Sequence, residues 1–182
     1  MKRKIEVVDY DEVWFSEFRR FESFLIENLS KSLQIEHVGS TSVVGLVAKP
    51  ILDIVIVVKN QKEFEIVKSD LHRIGYIHKG NQGIKNREVF KRIGNSGFYP
   101  HHLYVAYEGS LGLRNMLTIR DHLRDNSVDR EIYGLLKMRL AKQYPYDIES
   151  YIDGKTDFLL EILGKYDFKT EDLLEIRMIN KK

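Results

Sequence analysis

Cysteine is absent from this 182-residue chain. That excludes disulfides, thiolate catalysis and cysteine-ligated zinc. Only three prolines occur, and no low-complexity stretch interrupts the pattern, which argues against long disordered linkers. No segment approaches the roughly 20 apolar residues of a membrane span. The basic start of the chain lacks the apolar run of a signal peptide. These absences point to a cytoplasmic protein with no membrane partner. An excess of charge of one sign is missing as well. Charged residues make up 31% of the sequence, yet the formal net charge is +2, so the global balance gives no argument for nucleic acid or anionic membranes as partners, and nucleic acid is not the expected one. At this length the chain can bury a core of its own, and a single domain is expected over residues 1–182.

What is present is a succession of clear periodicities. Trp14, Phe18, Phe21, Leu25 and Leu29 recur at helical spacing after a short strand expected at Lys4 to Val8, with Asp9 or Asp11 as cap. Ser32 to His37 reads as an edge strand or connector, and Gly39 to Gly45 as a turn or one helical turn. Ile51 to Val58 is almost wholly apolar, as a strand covered on both faces should be. A helix is expected from Gln61 to Ile74, stopped by Gly75. Strands follow at Tyr76 to Ile77, Val89 to Ile93 and His102 to Tyr107, with a bend at Gly80 to Asn86 and a turn at Gly94 to Pro100. Beyond Gly109 the pattern is helical. Leu113, Met116, Leu117, Arg120 and Leu123 share one face, as do Ile132, Leu135, Leu136 and Leu140. Glu171 to Ile179 closes the chain as a helix or a strand. The plan is a mixed α/β core over residues 1–108, a helical layer over 109–168 and a tail over 169–182.

One stretch carries chemistry. Glu36 to Val58 reads EHVGSTSVVGLVAKPILDIVIVV. A Gly39-Ser40 turn leads into a buried strand bearing one carboxylate, Asp53. Glycine turns let backbone N–H groups approach phosphate, and the hydroxyls of Ser40, Thr41 and Ser42 add donors. Lys49 supplies a point charge at the strand mouth. A carboxylate in an apolar strand is costly unless paired, hydrogen-bonded or bound to metal. Asp53 is thus either a structural acceptor of backbone N–H bonds, a ligand of Mg²⁺, or an acceptor for a substrate hydroxyl.

The string from His37 to Ile54, HVGSTSVVGLVAKPILDI, closely resembles the signature of the GrpB family. Ile119 to Arg124, Lys137 to Leu140, and Lys155 to Phe158 after Tyr151 resemble later elements of that family, and the likeness runs from about Tyr10 to Tyr166. The resemblance implies a nucleotidyltransferase-like mixed sheet flanked by helices, related to the DNA polymerase beta superfamily. It also implies a nucleotide or other phosphorylated small molecule as partner, with Mg²⁺ as cofactor. In that superfamily two strand carboxylates two residues apart hold Mg²⁺ against a triphosphate, since residues i and i+2 share a face. Here Asp53 matches the first, but the second position is Val55. The family's later His-Leu-His reads His102-Leu103-Tyr104. By alternation His102 and Tyr104 share a face, where His102 could act as base and Tyr104 as hydroxyl donor.

The remaining candidates are weaker. His37 precedes the turn and is a site-lining candidate or a satisfied hydrogen-bonder. Glu36 is a poor substitute metal ligand, because neighbouring strand residues face opposite ways. Arg120 interrupts an apolar helical face, which implies a buried carboxylate partner or an anionic ligand. Lys155 rests on the resemblance alone. Lys85, Arg87, Lys91 and Arg92 cluster near aromatic residues, a mixture found in single-stranded nucleic-acid binding. The reading is a nucleotide-binding protein that transfers a nucleotidyl group if it is an enzyme. The alternatives are a non-catalytic nucleotide sensor and an interaction module using the basic-aromatic region. Val55→Asp should raise Mg²⁺-dependent turnover if the metal site is merely weakened.

Overall fold

Coverage on both faces explains why the strand β2 (Leu52–Val58) is apolar almost throughout. The computed structural model describes residues 4–94 and 97–181. In it β2 lies beside β1 (Ile35–Val38), which runs antiparallel to it at the sheet edge. On its other side β2 pairs in parallel with β5 (His101–Tyr107), and β4 (Arg87–Arg92) and β3 (Tyr76–His78) follow antiparallel. The sheet order is β1-β2-β5-β4-β3. The parallel pair requires a crossover. Helix α2 (Gln61–Arg73) and the β3–β4 hairpin supply it. Asn60 caps α2, its side chain accepting from Glu63 N.

Register sorts the side chains into two faces. Leu52, Ile54, Ile56 and Val58 of β2, with Leu103 and Val105 of β5, meet α2 and α1 (Val13–Asn28). The stripe Trp14, Phe18, Phe21, Leu25 packs there, as its spacing requires, and Leu29 closes it. Each fully buried side chain of this size contributes about 1.5–3 kcal/mol. The opposite face carries Asp53, Val55 and Val57, with His102, Tyr104 and Ala106 across from them. Helix α3 (Leu111–Asp125) covers part of it, setting Leu113, Met116 and Leu117 on Val38, Val55, Val57 and Ala106. Helices α4 (Ser127–Gln143), α5 (Ile148–Leu163) and α6 (Thr170–Asn180) complete the helical layer. Asn126 and Asp147 cap α4 and α5 through their side chains. Leu140 of α4 sits directly against Gly154 of α5, where a Cβ would come within 2.5 Å of Leu140 Cδ2.

Three expectations need correction. Lys4 to Val8 is not a strand: it forms one bridge, Val8 to Ala48, and Ile5 N donates to Pro145 O. Its apolar residues are drawn to the helical layer, where Ile5 is buried with Leu140 and Tyr151. The buried face of α4 is Tyr133, Gly134, Lys137 and Leu140, while Ile132 and Leu135 are exposed. Strand β4 begins at Arg87, two residues early, because the left-handed Asn86 (φ 60°) ends the preceding bend there. The tail alternative resolves as helix α6. The turn expected at Gly94 to Pro100 lies partly outside the described residues.

Candidate functional site

The Gly39 turn is built around Asp53. Val38 pairs with Asp53 across the β1–β2 ladder, and the next residue is Gly39 at φ 70°, ψ −174°. That backbone region is essentially closed to other residues. A Cβ on Gly39 would also overlap Asp53 Oδ2. The chain then makes a single 3-10 turn, Ser40–Ser42, in which Ser42 Oγ donates to Gly39 O at 2.6 Å. Groups outside the turn hold it in place. Arg124 donates to Ser42 O from Nε and Nη2 at 3.1 and 2.9 Å. The Tyr133 hydroxyl is hydrogen-bonded to Ser40. His37 Nε2 lies 3.0 Å from Thr41 Oγ1.

His37 itself sits beneath the turn on the packed face, stacked on Phe18 at 4.7 Å between ring centres. Burial pushes its pKa down to about 4, against the pull of Asp53, so the ring is neutral at pH 7. It positions Thr41 and does not line the cavity described below.

Asp53 gathers the β5 side chains. Its Oδ1 lies 3.0 Å from His102 Nδ1 and 3.4 Å from the Tyr104 hydroxyl. A carboxylate only accepts, so His102 Nδ1 carries the proton and Nε2 is left as the basic nitrogen. Burial, then the nearby Asp53, hold the Tyr104 phenol well above its usual range, so it stays a neutral donor. The Arg87 guanidinium lies 4.7 Å from the Tyr104 ring centre.

Above this trio is a cavity of about 320 Å³ lined by Ser40, Thr41, Lys49, Ile51, Asp53, His102, Tyr104, Lys137, Ile148, Tyr151, Ile152 and Lys155. It brings three lysines round one carboxylate. Lys137 is buried, donates to Val47 O, and lies 4.8 Å from the Tyr133 ring centre. Burial, with Lys155 adding to it, pushes its pKa down to about 6. Lys155 lies 4.4 Å from the Tyr151 ring centre. Burial and then Lys49 lower it to about 8, while Asp53 works the other way. Sequence reasoning passed over Lys137. The signal available was a repeated spacing: Tyr133 and Lys137, then Tyr151 and Lys155, each pair one helical turn apart on consecutive helices.

Other candidates, besides His37, lie outside the cavity. Arg120 is paired with Glu36 and Asp121 and donates to His37 O at 3.2 Å, clamping α3 to β1 outside the cavity. Glu36, the possible substitute metal ligand, is engaged by that clamp. Ser42 supports the turn from behind. Val55 is fully buried among Val38, Val57, Ala106 and Leu113. The position of a second strand carboxylate is therefore apolar packing, and Val55→Asp would bury an unpaired charge rather than simply complete a site. Among the described residues no group of three His, Asp or Glu side chains is arranged to hold a metal ion. A Mg²⁺ held by Asp53 would take its other ligands from phosphate and water, a common arrangement for this ion.

The fold is that of the nucleotidyltransferases. Its solved neighbours include the Cid1 poly(U) polymerase with Mg 3′-dATP bound, at TM-score 0.56 and 15% identity over 86% of this chain and 50% of that one. A crystal structure of the conserved protein GrpB from Enterococcus faecalis agrees further, with TM-score 0.75 and 28% identity over 93% of this chain and 98% of that one. The GrpB protein family model matches residues 4–165, and the chain belongs to that family. A UPF0157 protein of Halalkalibacterium halodurans is 35% identical over 88% of this chain and 82% of its own length. The UPF0157 protein YqkA of Bacillus subtilis is 33% identical over 87% of this chain. The chain spans only 46% of that relative's length.

Proposed function

We propose that the Asp53 cavity binds a nucleoside triphosphate, or a similar phosphorylated small molecule, with one Mg²⁺, and transfers its nucleotidyl group to an acceptor hydroxyl or amine. The convergence of Lys49, Lys137 and Lys155 with the glycine turn on a single carboxylate carries this reading. Lys49 and Lys155 face one carboxylate, and Lys137 can take up a proton as an anion enters, a balance that suits a polyphosphate. The backbone of Gly39 and the hydroxyls of Ser40 and Thr41 would hold phosphate oxygens, and the lysines would neutralise the leaving pyrophosphate. His102 Nε2 would take the acceptor's proton as the acceptor attacks the α-phosphorus and the α–β bond breaks. Asp53 would fix the imidazole through Oδ1, and Tyr104 would donate to the same oxygen. Asp53, through Oδ2 beside the turn, would hold Mg²⁺, which would supply stabilisation of the negative charge that develops in the transfer. The Cid1 neighbour, solved with Mg and nucleotide, supports the choice of ligand by analogy of fold.

The test is a thermal-shift and calorimetric panel of nucleoside triphosphates with and without Mg²⁺. A ligand at about 100 times its dissociation constant should stabilise the wild type by roughly 2.7 kcal/mol. Asp53→Ala should abolish the Mg²⁺-dependent part, and Lys155→Gln should weaken binding about tenfold. No stabilisation by any triphosphate overturns the reading. A second reading, a nucleotide sensor without turnover, is favoured by the apolar packing round Val55. Tight Mg²⁺-dependent binding with no pyrophosphate release would select it.

A further inference from the structure

The face that bears Asp53 does not end at β5. By register, Val89 lies opposite Tyr104 and Arg87 opposite Ala106, so Arg87, Val89 and Lys91 continue the same face on β4. Ile77 pairs with Lys91, and Lys79 N bonds Val89 O, which puts Lys79 on that face as well. Helix α3 stops short of this part of the sheet. Its Gly112 approaches Arg87, where a Cβ would lie 3.4 Å from the Arg87 Cβ, and beyond that point Lys79 and Lys91 are exposed. The result is an open trough of about 560 Å³ that shares His102 and Tyr104 with the Asp53 cavity. Lys79, Arg87, Lys91 and Arg92 line it, and no described Asp or Glu does. Glu88, the carboxylate of β4, points to the other face, where His78 holds it at 2.6 Å. Arg87 is largely buried, its Nε has no hydrogen-bond partner, and its guanidinium lies over the Tyr104 ring. A buried guanidinium N–H left without an acceptor under a basic surface is unfavourable for the isolated fold.

The geometry points to a second phosphate-binding site, a trough for an acceptor that carries phosphate, on the opposite side of Asp53 from the three lysines. Arg87 and Lys91 stand four strand residues apart, about 13 Å. The trough therefore fits more than one phosphate. Its middle lies two strands from Asp53, about 10 Å. A phosphate seated there leaves a neighbouring hydroxyl of the same molecule within reach of His102 and Asp53. Tyr104 links the two regions, its ring under Arg87 and its hydroxyl on Asp53. The word acceptor rests on the reading of the Asp53 cavity as a nucleotide site. The anion binding does not.

The single tryptophan offers a readout, because Trp14 Nε1 donates to the hydroxyl of Tyr99, which lines the trough, at 3.1 Å. The experiment titrates the full chain with 5′-phosphorylated triuridylate and, separately, with glycerol 3-phosphate, following Trp14 fluorescence and calorimetry. The variant is Lys79→Glu/Lys91→Glu, whose two exposed positions leave folding intact. Binding should weaken at least tenfold in the variant, and the wild type should show a log–log salt slope of about −3 for four cations on a single strand. Triuridylate binding with glycerol 3-phosphate silent identifies a nucleic-acid end as the source of the phosphate. Comparable binding of both identifies a small phosphorylated acceptor. Binding unchanged by the double variant, or no binding of either probe, overturns the site. The nucleoside triphosphate shift should survive in the double variant and lose its Mg²⁺-dependent part in Asp53→Ala. Its absence from the wild type would count against the nucleotide reading alone.

Discussion

The two faces of the sheet differ in how completely they are covered. On one, α1 and α2 seal Leu52, Ile54, Ile56, Leu103 and Val105 under Trp14, Phe18 and Phe21. On the other, α3 seals Val55, Val57 and Ala106, but Asp53, His102 and Tyr104 lie at the uncovered end. The first face is organised by apolar area, which is additive and tolerant of detail. The second is organised by a few polar atoms whose positions are fixed by a turn, a clamp and two aromatic–lysine pairs. Damage to the first should therefore appear as lost stability, and damage to the second as lost binding.

The largest effect expected is on the packed face. Trp14→Ala empties a fully buried site and removes the bond to Tyr99. Denaturant titration should show a loss of about 3–5 kcal/mol, with residual folded protein still binding triphosphate. A loss below 1 kcal/mol would mean that the two faces do not differ as described. Gly39→Ala tests the seam between them. Strain at φ 70° and the overlap with Asp53 should cost about 2–3 kcal/mol. Unlike Trp14→Ala, it should also abolish the triphosphate shift in whatever remains folded.

The smallest effect carries the opposite sign. Lys137 is held near pKa 6 when folded, against 10.5 in the open chain. Between those values the unfolded state binds more protons, so stability rises with pH across that window and is lost as pH falls toward 6. Lys137→Met removes the penalty while keeping the volume. It should add about 1–2 kcal/mol at pH 7 and flatten the rise between pH 6 and 10. Triphosphate binding should weaken at the same time. A variant less stable than wild type at every pH would show that the bond to Val47 O outweighs the cost of burying the amine.

The contrast also explains what could be read from the chain alone. Elements whose signal is repeated apolar spacing were legible: α1, α2, β2 and the face of α3. So was the Gly39-Ser40 turn, because a dense run of small polar residues before an apolar strand has few other uses. The cavity does gather Asp53, His102, Tyr104, Ser40, Thr41, Lys49 and Lys155. Lys137 was not legible by apolar counting, since a lysine inside the buried stripe of α4 shifts the apparent face to Ile132 and Leu135. His37 and Arg120 carried true signals of burial but no indication of direction. Both turned out to brace the turn and the β1 edge from outside the cavity. Lys4 to Val8 alternates like a strand, yet its partners are side chains of α4 and α5, which local sequence cannot name.

Gly39 is required twice, by a backbone angle that other residues resist and by a volume that Asp53 already fills. Demands that arise independently cannot be relaxed by one compensating change. Shrinking Asp53 would free the space and leave the angle, while reshaping the turn would free the angle and leave the collision. Position 39 is therefore closed to gradual variation, and descendants of this fold that keep Asp53 inherit the turn whole or lose it whole. The surrounding lysines, on α4, on α5 and in the loop before β2, are under no such restriction and can vary around a frame that cannot.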